Sequence, residues 1–114
     1  MGRSSLNLMR GTLDLLILRV LSRESLHGYE ISKRIQQRMQ EEIQIEEGAL
    51  YPALRRMEEK GWLESEWGLS SSNREVKYYQ LTGEGRRELK EQTATWDRYV
   101  KAMDRVLRMA EATS

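Results

Sequence analysis

One stretch of 35 residues, Gly48 to Thr82, constrains this chain more than any other: GALYPALRRMEEKGWLESEWGLSSSNREVKYYQLT. Leu50, Ala53, Leu54 and Met57 recur at helical spacing, and the helix they predict stops at Gly61. Two β-prone segments follow at once, Trp62–Trp67 and Val76–Leu81, rich in aromatic and β-branched residues. The eight residues from Gly68 to Glu75 between them read as a polar loop. A helix that runs straight into a hairpin with basic residues near its tip has the layout of a winged helix-turn-helix. That arrangement places one helix in a DNA groove and lays the hairpin on the flanking backbone.

The rest of the chain fits a small helical domain around this unit. At 114 residues it is long enough for one core. The absence of Cys excludes a disulfide framework and a cysteine nucleophile, and with a single His it leaves no ordinary zinc site. No cofactor is expected. The opening MGRSSLNLMR lacks the apolar core of a signal peptide, and the longest apolar run is far short of a membrane span. A cytoplasmic protein with no membrane contact is expected. Net charge is only +1, so DNA binding would have to come from how the charges are distributed.

Residues Leu8–Arg23 read as a first helix. Leu13, Leu15, Leu16, Ile17, Leu18, Val20 and Leu21 wrap most of its circumference, which predicts burial from more than one side and hence a partner subunit. Ser25 to Gly28 reads as a turn, with His27 packing in it and carrying no chemistry. A second helix, Tyr29–Met39, has a core stripe of Ile31, Ile35 and Met39, with Lys33, Arg34 and Arg38 off it. Ile43 and Ile45 pin the following connection. The third helix is expected over Glu46–Lys60, with Pro52 tolerated in its first turn. Asp14, among the leucines, reads as solvent-facing or capping.

Thr82 caps a last helix expected over Gly83–Ala110, whose first turn Gly83 and Gly85 weaken. Leu89, Thr93, Trp96, Val100, Met103, Leu107 and Ala110 alternate spacings of four and three, a short heptad seam. Such a seam packs a helix into a groove or against its symmetry mate, and Tyr99, Ala102 and Val106 widen it. The expected architecture is mainly α: a winged helix-turn-helix of three helices and a two-stranded wing over residues 1–82, then a dimerisation helix over 83–114, in one compact unit.

The candidate DNA contacts each carry a second reading. Tyr51 and Arg55 lie four apart on the face opposite the core stripe. There Arg can read guanine or grip phosphate, and Tyr can bond phosphate or pack on a thymine methyl. Alternatively, Arg55 and Arg56 are solvated and paired with Glu58 and Glu59. Gly48 would let phosphate approach a helix start, or allow close packing. Arg74 and Lys77 would hold phosphates from the wing, or keep an edge strand from aggregating. Trp96 is a dimer anchor or the wall of a pocket for a flat aromatic ligand.

GTLDLLIL at 11–18, HGYEI at 27–31, GALYPALRRMEEKGWL at 48–63 and VKYYQLTGEGRREL at 76–89 together resemble the PadR family of bacterial transcriptional regulators. The single C-terminal helix is similar to the compact subgroup that includes multidrug-sensing regulators. The resemblance implies a homodimer in which the last helix of each chain packs on the first and last helices of the other. That dimer interface involves Leu13, Leu16, Trp96, Val100, Met103 and Leu107. It also implies repression of a nearby gene, relieved by a small molecule. Gly48, Tyr51, Arg55 and Arg56 then fall on the recognition helix and Arg74 and Lys77 on the wing. Trp96 and Val100 would line an effector pocket, with Leu8, Gly11 and Leu15 opposite. The sequence departs from the pattern at Val100, where the multidrug-sensing regulator it resembles has an acidic residue, and at Glu75, in a wing that is usually more basic.

The expected function is a dimeric DNA-binding repressor acting on a pseudo-palindromic duplex operator, with an aromatic small-molecule effector. The alternative is a winged-helix protein-interaction module without DNA binding. No nucleophile–base pair, phosphate-binding glycine loop or metal spacing supports an enzyme.

Overall fold

The structure is a computed structural model and describes residues 11–110. In chain order it comprises α1 (Thr12–Val20), β1 (Leu26–His27), α2 (Gly28–Arg38), α3 (Glu47–Glu59), β2 (Leu63–Leu69), β3 (Glu75–Leu81) and α4 (Gly83–Leu107). The strands form one antiparallel sheet in the order β1-β3-β2. The mainly α winged-helix architecture read from the sequence is the one present.

The core follows from the helical stripes. Ile17, Leu18 and Leu21 from the α1 region, Ile31 and Ile35 from α2, and Leu50, Ala53, Leu54 and Met57 from α3 are buried together. Leu63, Tyr79 and Leu81 close it from the hairpin. Ile43 is buried and Ile45 and Met39 pack at its margin, as the sequence predicts. Leu13, Leu15, Leu16 and Val20 on α1 are only half-buried within one chain.

Several boundaries differ from the sequence reading, each for a local reason. The interval read as a turn, Ser25 to Gly28, contains β1, whose Leu26 pairs with Tyr79 and His27 with Tyr78. Two residues are too few to show alternation. His27 is the N-cap of α2. Its Nδ1 accepts from the Glu30 backbone N–H (3.5 Å), and its own N–H donates to Glu30 Oε1 (3.1 Å), a reciprocal capping box. The first helix ends at Val20, short of Arg23, because Ser22 turns back. Its N–H (3.1 Å) and its hydroxyl (2.7 Å) both donate to the Arg19 carbonyl. The part of that helix expected before Gly11 lies outside the described residues.

Pro52 is the sixth residue of α3, in its second turn, and not in the first turn as expected. Its missing N–H leaves the Gly48 carbonyl without the usual donor. Gly48 is exposed, so water reaches that carbonyl. Burying Leu50, Leu54 and Met57 contributes about 1.5–3 kcal/mol each, which outweighs the about 3 kcal/mol an interior proline costs.

The hairpin strands run further than expected, and the loop shrinks to residues 70–74. Its tip is hydrogen-bonded: Ser70 N–H donates to Arg74 O (2.8 Å), Asn73 N–H to Ser70 O (2.9 Å), and Arg74 N–H to Ser70 Oγ (3.2 Å). Asn73 takes the left-handed conformation, φ 63°, which Asn tolerates. The final helix ends at Leu107, not Ala110.

Thr82 caps α4 as predicted, its Oγ1 accepting from Gly85 N–H at 3.0 Å. Gly85 does more than weaken the first turn. It is buried, and a Cβ there would lie 2.1 Å from the Trp62 carbonyl oxygen. A Cβ on Gly83 meets nothing closer than the Arg87 guanidinium, at 3.9 Å. Gly85→Ala is therefore expected to destabilise by about 1–3 kcal/mol or more, while Gly83→Ala stays within about 0.5 kcal/mol. Urea midpoints of the two variants check this, and equal midpoints would refute the close approach.

Candidate nucleic-acid interface

Turning α3 so that its core stripe is buried leaves Tyr51 and Arg55 outward. Tyr51 is 46% exposed. Its ring lies across the start of α2, where Gly28 makes room: a Cβ on Gly28 would sit 2.6 Å from the Tyr51 hydroxyl. The start of α2, the outer face of α3 and the inner side of the wing thereby enclose one open groove of about 590 Å³. Tyr29, Tyr51, Trp67, Arg74, Lys77 and Tyr79 are among the residues that line it. Burial, then the nearby Glu58 carboxylate, holds the Tyr79 phenol above its ordinary pKa, so it stays a neutral donor.

The basic residues predicted from sequence separate into two kinds. Among the described residues, neither the Arg55 nor the Arg74 guanidinium has an ion-pair or hydrogen-bond partner, so both are open to an incoming anion. Lys77 is partly engaged, with Nζ 3.6 Å from Glu58 Oε1. Arg56 is tied to α1. Its guanidinium donates to Asp14 Oδ1 at 2.7 Å, and the Asp14 side chain is only 17% exposed. Asp14 is therefore neither solvent-facing nor a cap, and Arg56 pairs with it in place of Glu58 or Glu59. A Cβ on Gly48 would have nothing within 4 Å, so close packing within the chain does not explain this glycine. Glu47 also lines the groove. It favours the α3 dipole and opposes phosphate.

A second cavity, of about 750 Å³, lies between the start of α1 and the middle of α4. Of the residues that the family resemblance assigns to an effector pocket, Gly11, Leu15 and Trp96 line this cavity, Val100 does not and Leu8 lies outside the described residues. Glu88, Glu91 and Tyr99 are also part of its wall, with the Trp96 and Tyr99 ring centroids 6.0 Å apart. The seam beyond remains open in one chain: Trp96 is 38% exposed and Leu107 61%.

Comparison with known proteins decides the family. Residues 17–91 match the transcriptional regulator PadR-like family. The chain belongs to the PadR-like family of transcriptional regulators. It is 39% identical to a PadR family regulator from Eggerthella lenta, with a TM-score of 0.76 over 89% of this chain and 86% of that one. A PadR family regulator from Clostridium difficile is 37% identical, with a TM-score of 0.73 over 85% and 99% of the two chains. A transcriptional regulator from Clostridium thermocellum is 33% identical, with a TM-score of 0.77 over 84% and 93%.

Family and fold make this PadR-like protein a DNA-binding regulator, and none of its described helices is long and apolar enough to cross a membrane. Sequence reasoning passed over two groove residues. Tyr29 opens α2 with Lys33 Nζ 5.4 Å from its ring centroid, and Trp67 stands on the wing. The signal for Trp67 was available: it alternates with Leu63 and Ser65 on one face of β2.

The split between Arg55 and Arg56 is testable by stability alone. Asp14→Ala is expected to cost about 1 kcal/mol, at the upper end for a partly exposed pair, whereas Arg55→Ala stays within about 0.5 kcal/mol. Urea denaturation measures both. A larger loss for Arg55→Ala would reverse the assignment.

Proposed function

We propose that this regulator is a homodimeric repressor that places one α3 in each of two major grooves of a pseudo-palindromic operator. The observation that carries the reading is the shared groove. Tyr51 on α3 opens into the same groove as Arg74 and Lys77 on the wing, and Arg55, exposed on α3 outside the groove lining, is near enough to act electrostatically on Tyr79 in its wall. Tyr51 and Arg55 would contact bases and Gly48 would admit a phosphate to the start of α3. Arg74 and Lys77 would grip flanking phosphates. Arg56 contributes indirectly, by holding α3 against α1 through Asp14.

The apolar row on α4 supports the dimer. Met103, Leu107 and Trp96 are exposed and Val100 half-exposed, and Leu13 and Leu16 on α1 are uncovered in part. A second copy laid along this seam would bury them, at about 25 cal/mol per Å² of apolar surface. Sedimentation velocity is expected to give a dimer at micromolar concentration, and a stable monomer would end this reading.

Operator affinity should fall steeply with salt. Two cations per subunit, Arg74 and Lys77, each neutralising one phosphate, give a log–log slope of about −3.6 for the dimer. Arg55→Ala should weaken binding by about 1–3 kcal/mol if the guanidinium reads a base edge. Fluorescence anisotropy on a duplex selected by the wild-type protein measures both. Salt-independent binding would count against the whole interface.

The lining of the α1–α4 cavity supports release by a flat aromatic cation. Trp96 and Tyr99 offer stacking surfaces and Glu88 and Glu91 offer negative charge, which supplies the acidity absent at Val100. A ligand shifts the protein only through unequal affinity for two dimer geometries. In a background with Trp62→Phe and Trp67→Phe, a planar aromatic cation should quench Trp96 fluorescence more strongly than its neutral isostere. Glu88→Gln with Glu91→Gln should abolish the difference, and an unresponsive Trp96 would leave it a dimer anchor alone.

A further inference from the structure

The wing cannot hold DNA by charge alone. From Leu63 to Leu81 it carries Arg74 and Lys77 against Glu64, Glu66 and Glu75, a net charge of −1, and Lys77 already has Glu58 for a neighbour. The register sorts these groups by face. Leu63 pairs with Leu81, Ser65 with Tyr79, Trp67 with Lys77 and Leu69 with Glu75 on the side turned towards α3. Ser65 donates to Glu58 of α3 at 2.7 Å, which fixes that side. Glu64 and Glu66 alternate onto the other side, where Glu64 accepts from Gln80 (2.7 Å).

Core burial along the α3 side ends at the Ser65–Tyr79 pair. The next residue outward is Trp67, which is 65% exposed, followed by Leu69. Large exposed apolar side chains elsewhere among the described residues gather mostly on α4. Trp67 is separate from that seam and opens instead into the groove shared with Tyr51 and Arg74. An indole left open beside an unpaired guanidinium, on the face assigned above to the duplex, is placed for contact with a surface that is anionic at its rim and apolar within. The edge of a DNA minor groove has that character: phosphates outside, deoxyribose and base edges inside.

We propose that Trp67 is a DNA-contacting residue that packs its indole on the sugars and base edges of the minor groove flanking the α3 site. The wing then reads groove width and deformability, with Arg74 as its phosphate anchor. This rests on the operator-binding role proposed above and adds to it a contact that releases no counterion.

That last property separates the indole from a basic side chain. The probe is a duplex selected from a random-sequence pool by the wild-type protein, with binding followed by anisotropy across a salt series. Trp67→Ala is expected to weaken binding about tenfold at every salt concentration and to leave the log–log slope unchanged. Arg74→Ala should flatten the slope by about 0.9 per subunit. Trp67→Phe should recover most of the loss. In a variant with Trp62→Phe and Trp96→Phe, Trp67 emission should shift and quench on duplex binding. Exposed Trp67 has little to lose in folding, and matching urea midpoints confirm that the variants are intact. Wild-type affinity in Trp67→Ala overturns the proposal, as it would if the indole served a protein partner. A slope change equal to that of Arg74→Ala, or unmoved Trp67 emission, overturns it equally. If the wild-type protein selects no duplex at all, the operator-binding reading itself falls and this contact with it.

Discussion

Thr82 and Gly85 pin the start of α4 to the backbone that leaves α3. The Thr82 N–H donates to the Trp62 carbonyl (3.1 Å), and its hydroxyl donates to the Gly61 carbonyl (2.6 Å). The same hydroxyl accepts from Gly85 N–H and so caps α4. Gly85 then allows the helix to approach Trp62 more closely than any side chain would permit. One residue, Thr82, thus joins the backbone that leaves α3, the approach to β2 and the first turn of α4. Because the joint is made of backbone and short side chains, it has little slack. The angle at which α4 leaves the domain is therefore tied to the position of α3.

That joint gives the two cavities a mechanical relation. The groove beside α3 and the cavity beside Trp96 share no lining residue, yet α4 forms a wall of one and begins at the joint that holds the other. In the proposed dimer, a ligand wedged between α1 and α4 would alter how two copies of α4 meet. The rigid joint would carry that change to the spacing of the two α3 helices. Coupling of this kind needs only two dimer arrangements of unequal ligand affinity and no rearrangement within either domain.

The proposed DNA-facing surface depends on discrimination between neighbours. Arg55 and Arg56 are adjacent in sequence but lie about 100° apart around α3. Arg55 is exposed and acts electrostatically on Tyr79 in the groove wall, and Arg56 meets Asp14 and so helps fix α3 against α1. The acidic residues that bring the net charge near zero are placed with similar effect: Glu64 and Glu66 fall on the wing side turned away from α3, and Glu58 neighbours Lys77. A chain with a net charge of +1 thereby keeps the Arg55 and Arg74 guanidiniums unpaired among the described residues.

Local periodicity carried most of the fold. The stripe Leu50, Ala53, Leu54, Met57, the pair Ile31 and Ile35, the alternation in β2 and β3, and the Thr82 cap are all written within a few residues of chain. Each had only one way to bury its apolar side. The capping box of His27 and Glu30 was equally local, yet the sequence there reads as a turn, because His is not among the residues that usually mark an N-cap. What the sequence could not decide was contact between segments far apart along it. Asp14 finds Arg56 across 42 positions, β1 exists only because β3 offers it an edge, and Gly85 must be glycine because Trp62 lies against it. Those outcomes depend on how preformed elements dock, and docking geometry is set by the packing of the whole core, which no short window of sequence contains.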